Sequence, residues 1–113
     1  DEDKIIHGLE IFPGVPGRME IIQNEPFTVI VDYAHEPESL KALFGAVKVI
    51  KGGGRIIILF GATGGGRDKA KRPLMGEIAG READYVVVSN DDPFDEDPIT
   101  IIDQVVVGVF SVL

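Results

Sequence analysis

The sequence predicts an α/β fold, a three-layer sandwich around a mainly parallel sheet with an antiparallel hairpin at its start. Three observations predict it. Short apolar, β-branched runs alternate with segments of helical periodicity. A proline stands at or near the start of each helical segment. The runs are apolar almost without alternation, as parallel strands covered on both faces are.

Phe27 to Val31 is the first such run, ending at Asp32. Met19 to Gln23, separated from it by Asn24-Glu25-Pro26, supplies the other arm of a hairpin. Pro37 suits a first helical position, where its missing N–H has no intrahelical partner. Leu40, Leu43, Phe44, Val47 and Ile50 then recur at helical spacing until Gly52-Gly53-Gly54 stops the helix. Ile56 to Phe60 is the second strand, and a glycine-rich, basic loop follows to Arg72. Pro73 is expected to open the next helix, with Leu74, Met75 and Ile78 on one side. Asp84 to Ser89 is the third strand and Asn90 to Asp97 its loop. Pro98 opens a last helix with Ile101, Ile102, Val105, Val106, Val109 and Phe110 on one face. Residues 1–18, punctuated by Gly8, Pro13, Gly14, Pro16 and Gly17, read as an interdomain linker, and 19–113 as an incomplete domain.

Composition narrows the function. A net charge of −8 argues against nucleic acid, which wants a basic footprint. No apolar run approaches the roughly 20 residues of a membrane span. There is no cysteine, which excludes disulfides and thiolate metal sites. Within this acidic chain Arg67, Lys69, Lys71 and Arg72 crowd together, and such a cluster can hold an anion locally.

In open α/β sheets, ligands bind beyond the carboxyl ends of the strands. All three loops at that end are chemically loaded: Asp32 to Glu36, Gly61 to Arg72, and Asn90 to Asp97. The opposite loops are bland. Gly61-Ala-Thr-Gly-Gly-Gly-Arg67 lacks the Gly-Lys-Ser/Thr ending of a phosphate-binding P-loop, so the residues leave an anion cradle and an ordinary flexible loop equally open. Asp32 and His35 fit either a capping turn or contacts to a ribose and a phosphate. Asp91, Asp92, Asp95, Glu96 and Asp97 fit a solvated loop whose last member caps a helix, or a site for Mg²⁺ or an organic ammonium.

Three longer segments add a family resemblance. Val15-Pro-Gly-Arg-Met-Glu20, Val31-Asp-Tyr-Ala-His-Glu-Pro-Glu-Ser39 and Gly66-Arg-Asp-Lys-Ala-Lys-Arg-Pro-Leu-Met-Gly76 together resemble the Mur ligases. Asp91-Asp92-Pro93, with Pro98 after it, stands where members that add the third residue of the peptidoglycan stem have Asp-Asn-Pro. The resemblance spans about residues 9 to 107. It implies a Rossmann-like C-terminal domain of a cytoplasmic, ATP- and Mg²⁺-dependent ligase, both ligands being held mainly by a central ATPase domain. That ligase would phosphorylate the carboxylate of a UDP-N-acetylmuramoyl-dipeptide and join an amino acid to it, serving cell-wall synthesis and through it cell shape and division.

The resemblance also assigns roles. Arg18 is similar to the arginine that reaches the nucleotide phosphates and is the expected catalytic residue. Asp32 matches a ribose-binding aspartate, and His35 lies in the same nucleotide-facing loop. Arg67 matches an arginine that binds the carboxylate of the incoming amino acid. Asp91, Asp92 and Phe94 match positions lining the amino-acid pocket. Members that add meso-diaminopimelate have arginine where Phe94 stands. Phenylalanine cannot bond a distal carboxylate and Asp92 would attract an ammonium, so a diamino acid, L-lysine first, is expected. The central domain's P-loop is absent from this stretch, as is a later segment of the C-terminal domain, so a fragment inactive by itself is expected. The alternatives are a stand-alone Rossmann-like nucleotide-binding module and a domain of a folylpolyglutamate-synthetase-like ligase.

Overall fold

A computed structural model describes residues 1–113. The chain forms two compact units, Asp1–Tyr33 and Ala34–Leu113.

The first unit opens with α1 (Glu2–Glu10), so the expected linker stretch contains a helix. Asp1 caps it by accepting the Asp3 N–H at 3.3 Å. Glu2 and Asp3 at its start and His7 near its end agree with the helix dipole. None of its residues is buried, although Ile5, Ile6 and Leu9 recur at helical spacing on one face. The expected hairpin follows: β1 (Glu20–Gln23) pairs antiparallel with β2 (Val29–Val31), with a register shift between Ile21 and Gln23.

The second unit holds α2 (Pro37–Lys51), β3 (Ile57–Phe60), α3 (Lys71–Glu82), β4 (Tyr85–Val88) and α4 (Pro98–Phe110). Pro37 and Pro98 stand at the helix starts the sequence predicts. Ser39 Oγ accepts the Glu36 N–H at 3.1 Å at the head of α2, and Asp97 accepts the Thr100 N–H at 3.0 Å at the head of α4. α3 starts at Lys71, two residues before Pro73, because a first-turn proline loses no helical hydrogen bond.

β3 and β4 are parallel, with Ile57 opposite Tyr85 and Phe60 opposite Val88. β2 bonds to β1 and β3 to β4, so the strands form two separate two-stranded sheets. One core cluster joins Leu40 and Phe44 of α2 to Ile56 and to Met75 and Ala79 of α3, with Ile58, Phe60 and Val86 against it. A second joins Ala62 to Ile101 and Val105 of α4, against Phe60 and Val88. All three helices therefore cover one face of the parallel pair. The other face, Ile57, Leu59, Tyr85 and Val87, is exposed, so two of the three expected layers are present in this chain.

α3 and α4 meet backbone to backbone. A Cβ on Gly76 would stand 2.0 Å from the Val105 carbonyl oxygen, and one on Gly108 would stand 1.9 Å from that of Pro73. Only glycine fits at this crossing.

Candidate functional site

The loops after β3 and β4 lie side by side and are bonded together. The Gly64 N–H donates to the Asp92 carbonyl at 2.8 Å, and Thr63 Oγ1 donates to Asp91 Oδ2 at 3.3 Å. A Cβ on Gly64 would stand 2.1 Å from the Pro93 carbonyl oxygen, and one on Gly65 would stand 2.8 Å from the Phe94 ring. These two glycines are thus explained by the close approach of the acidic loop, not by an anion. Gly65 and Gly66, at φ +68° and +75°, carry the chain on to Arg67. Arg67 is exposed, and its guanidinium bonds to nothing in the chain. Asp91, Asp92 and Phe94 sit on the facing loop, all exposed, and Phe94 holds a left-handed φ of +53° that a β-carbon disfavours. Arg67, Asp91, Asp92 and Phe94 are therefore brought to one lip beyond the carboxyl ends of β3 and β4, where the sequence places them.

Of the other basic residues of the cluster, Lys71 and Arg72 turn inward, while Lys69 stays exposed but paired. Arg72 is fully buried. Its Nη1 and Nη2 each donate at 3.0 Å to one oxygen of Glu96. Nη1 also donates to Gln104 Oε1 at 2.7 Å, and Nη2 to the Thr63 carbonyl at 3.0 Å. Lys69 Nζ reaches Glu96 Oε2 at 2.9 Å. Lys71, also buried, donates to Glu36 Oε1 at 2.5 Å and to the His35 carbonyl at 3.1 Å. The anion-binding cluster suggested by composition is thus mostly internal ion pairs. Burial was readable for Arg72, since it shares a stripe with Met75 and Ala79 at helical spacing. No spacing signalled Glu96 or Gln104 as its partners.

The five clustered acids divide in the same way. Asp97 is a helix cap, and its carboxyl is lowered by hydrogen bonds from the Thr100 hydroxyl and N–H. Glu96 is lowered from 4.5 to about 2, chiefly by hydrogen bonds from Arg72 and then Lys69. No group of three acids or histidines gathers closely enough to hold a metal ion. A carboxyl depressed in the folded state contributes stability that is present above its ordinary pKa and lost as pH falls toward the folded value. For Glu96 that window runs from 4.5 down to about 2. The denaturant midpoint of the chain is expected to fall across this window, and to fall less steeply in Glu96→Gln. An equally steep acid limb in the variant would exclude Glu96 from the response.

In the first unit the Arg18 guanidinium lies over the Tyr33 ring, 4.3 Å from its centroid, and Arg18 is otherwise exposed. Asp32 Oδ2 accepts the Met19 N–H at 2.8 Å, bracing the backbone where Met19 takes a left-handed φ of +47°. Asp32 thus has a structural duty whatever else it binds. His35 belongs to the second unit, exposed beside the head of α2.

Residues 17–112 match the family described as Mur ligase, glutamate ligase domain. The chain belongs to that family. It is 47% identical over 111 residues to a UDP-N-acetylmuramyl-tripeptide synthetase of Roseiflexus sp., covering 97% of this chain and 21% of that protein. It is 50% identical over 113 residues to a UDP-N-acetylmuramoyl-L-alanyl-D-glutamate–2,6-diaminopimelate ligase of Synechocystis sp., covering 96% of this chain and 22% of that protein. A solved structure of a ligase of the latter name superposes with a TM-score of 0.71 at 32% identity, covering 93% of this chain and 21% of that one. This Mur ligase domain therefore spans about a fifth of the length of the relatives it matches. The names of the diaminopimelate ligases lend no support to the expected preference for lysine.

Proposed function

We propose that this Mur ligase domain supplies the amino-acid-accepting part of an ATP-dependent ligase. The whole enzyme would extend a UDP-N-acetylmuramoyl-dipeptide by one diamino acid in peptidoglycan synthesis, in the cytoplasm. The observation that supports this most is the lip on which an exposed Arg67, unpaired in the chain, follows the glycine-rich loop that is bonded to the loop carrying Asp91, Asp92 and Phe94. A guanidinium with its fork unspent suits an α-carboxylate, and carboxylates opposite it suit the ammonium groups of the same molecule. Held so, the α-amine can attack an acyl phosphate formed from the dipeptide's carboxylate and ATP, yielding the amide and inorganic phosphate. Arg18, cationic and exposed, suits contact with nucleotide phosphates, and Asp32 and His35 are the accompanying nucleotide-facing residues. ATP and Mg²⁺ would be held mainly by a central domain, with residues 1–18 forming the joint to it.

Diaminopimelate is the amino acid named in the Synechocystis relative and in the solved structure, and we take it as the substrate. A second reading, lysine, is favoured by one observation: Phe94, where diaminopimelate-adding members have arginine, is 68% exposed on the lip and not part of the core. The deciding experiment uses the full-length protein that carries this domain. Phosphate release from ATP and the UDP-linked dipeptide is expected to require a diamino acid, with kcat/KM larger for diaminopimelate than for lysine. A larger value for lysine would establish the second reading, and phosphate release indifferent to any amino acid would refute the ligase assignment.

A further inference from the structure

We infer that Arg72 is a positioning residue for the amino-acid lip: acting through Glu96, it sets the spacing of the glycine-rich loop from the acidic loop. The inference rests on the proposed ligase reading of that lip.

Arg72 stands in the first turn of α3, directly after the loop that carries Arg67. One planar guanidinium holds three separate pieces of the unit. It takes the Thr63 carbonyl from the glycine-rich loop, both Glu96 oxygens from the acidic loop, and the Gln104 side chain from α4. A paired fork of this kind admits one relative orientation of its partners, unlike a lysine ammonium. Lys69, from the same loop as Arg67, adds a second cation to Glu96. The Gly64–Asp92 and Thr63–Asp91 bonds lie between the same two loops. The lip residues are therefore flanked by braces: Arg67 lies between Thr63 and Lys69, while Asp91, Asp92 and Phe94 precede Glu96 in the opposing loop.

Anchoring α3 to α4 does not require this arrangement. The two helices already meet through Gly76 and Gly108, and Met75 and Ala79 fill the core. Burying a guanidinium and a carboxylate is costly, and a well-packed apolar pair often gives equal or greater stability. The ion pair adds directional constraint, and it does so under the lip. Arg72 is fully buried and the Glu96 side chain is 15% exposed with both oxygens engaged, so they act on a ligand through the loops they hold.

The test measures KM for diaminopimelate and for ATP in the full-length enzyme, comparing the wild type with Arg72→Lys and Glu96→Gln. Glu96→Gln is the decisive variant, because its shape is conserved and Arg72 keeps its bonds to Thr63 and Gln104. A misplacement of about 1 Å in a binding constellation can cost up to roughly a hundredfold, so KM for diaminopimelate is expected to rise about tenfold or more, with KM for ATP within about twofold. A merely structural role would lower the thermal midpoint and the yield of active enzyme while leaving both KM values in place, and that result overturns the inference. So does an equal rise in both. Should the wild-type enzyme form no amide from the dipeptide and a diamino acid, the ligase reading fails and takes this role with it. An active wild type with an unchanged Glu96→Gln removes the positioning role alone.

Discussion

Gly108→Ala is expected to destabilise the domain, although helix propensity by itself predicts the reverse. Glycine within a helix costs about 1 kcal/mol relative to alanine, so an unhindered exchange would stabilise α4. Here the new methyl would meet the Pro73 carbonyl oxygen at 1.9 Å and the Glu77 nitrogen at 2.8 Å. Both are backbone atoms of α3, so no rotamer change relieves the clash. Forcing the helices apart costs about 3 kcal/mol, the upper part of the usual range for overpacking, and leaves a net loss of about 2 kcal/mol. Gly76→Ala should behave alike, since its methyl would meet the Val105 carbonyl oxygen at 2.0 Å. Gly45→Ala is the control: Gly45 is exposed within α2, with nothing within 4 Å of an added Cβ. Denaturant midpoints should fall for the first two variants and hold or rise for the third. A midpoint for Gly108→Ala at or above the wild type would show that the crossing is looser than described.

The second large effect is on binding. Arg67→Ala in the full-length enzyme should raise KM for the amino acid while leaving KM for ATP nearly unchanged. Loss of hydrogen bonds between charged partners costs about 1.5–3 kcal/mol, or roughly ten- to a hundredfold in affinity. Since Arg67 bonds to nothing else in the chain, its removal leaves no buried carboxylate behind, and the thermal midpoint should stay within a degree or two of the wild type, as for surface substitutions generally. Arg67→Lys should recover only part of the loss, because an ammonium lacks the fork that engages both carboxylate oxygens. An amino-acid KM unaffected by Arg67→Ala would detach this residue from the α-carboxylate.

How much of this could be read in advance depended on how local the cause was. Pro37 and Pro98 mark helix starts through a property of the residue itself, and both stand where expected. The same property misplaced the start of α3, since a proline is tolerated anywhere in the first turn and Lys71 precedes Pro73 there. α1 was missed because Gly8 and Pro13 suggested a linker, although Ile5, Ile6 and Leu9 fall at helical spacing. Loop chemistry was half legible. The sequence places Arg67, Asp91, Asp92 and Phe94 beyond strand ends, where they are found. It does not tell glycines that cradle an anion from glycines that let another loop approach. That distinction lies in Pro93 and Phe94, almost thirty residues further on. The internal pairing of Lys71 and Arg72 was lost for the same reason, as their partners Glu36 and Glu96 are 35 and 24 residues away.

That inward pairing has a consequence for how the lip meets its ligand from a distance. Four cations between 67 and 72 would together project a positive field into solution, drawing anions from up to about a Debye length away. Lys69 and Arg72 share the single charge of Glu96, and Lys71 pairs with Glu36, so two of the four positive charges are cancelled and the long-range field of the cluster is weakened. Arg67 stands unpaired within a chain carrying −8, so what remains of the positive field is local. On the proposed reading such a lip does little steering and discriminates at contact range, where ionic strength has little leverage. A zwitterionic amino acid, which offers little net charge to steer, is the kind of ligand for which nothing is lost by this arrangement.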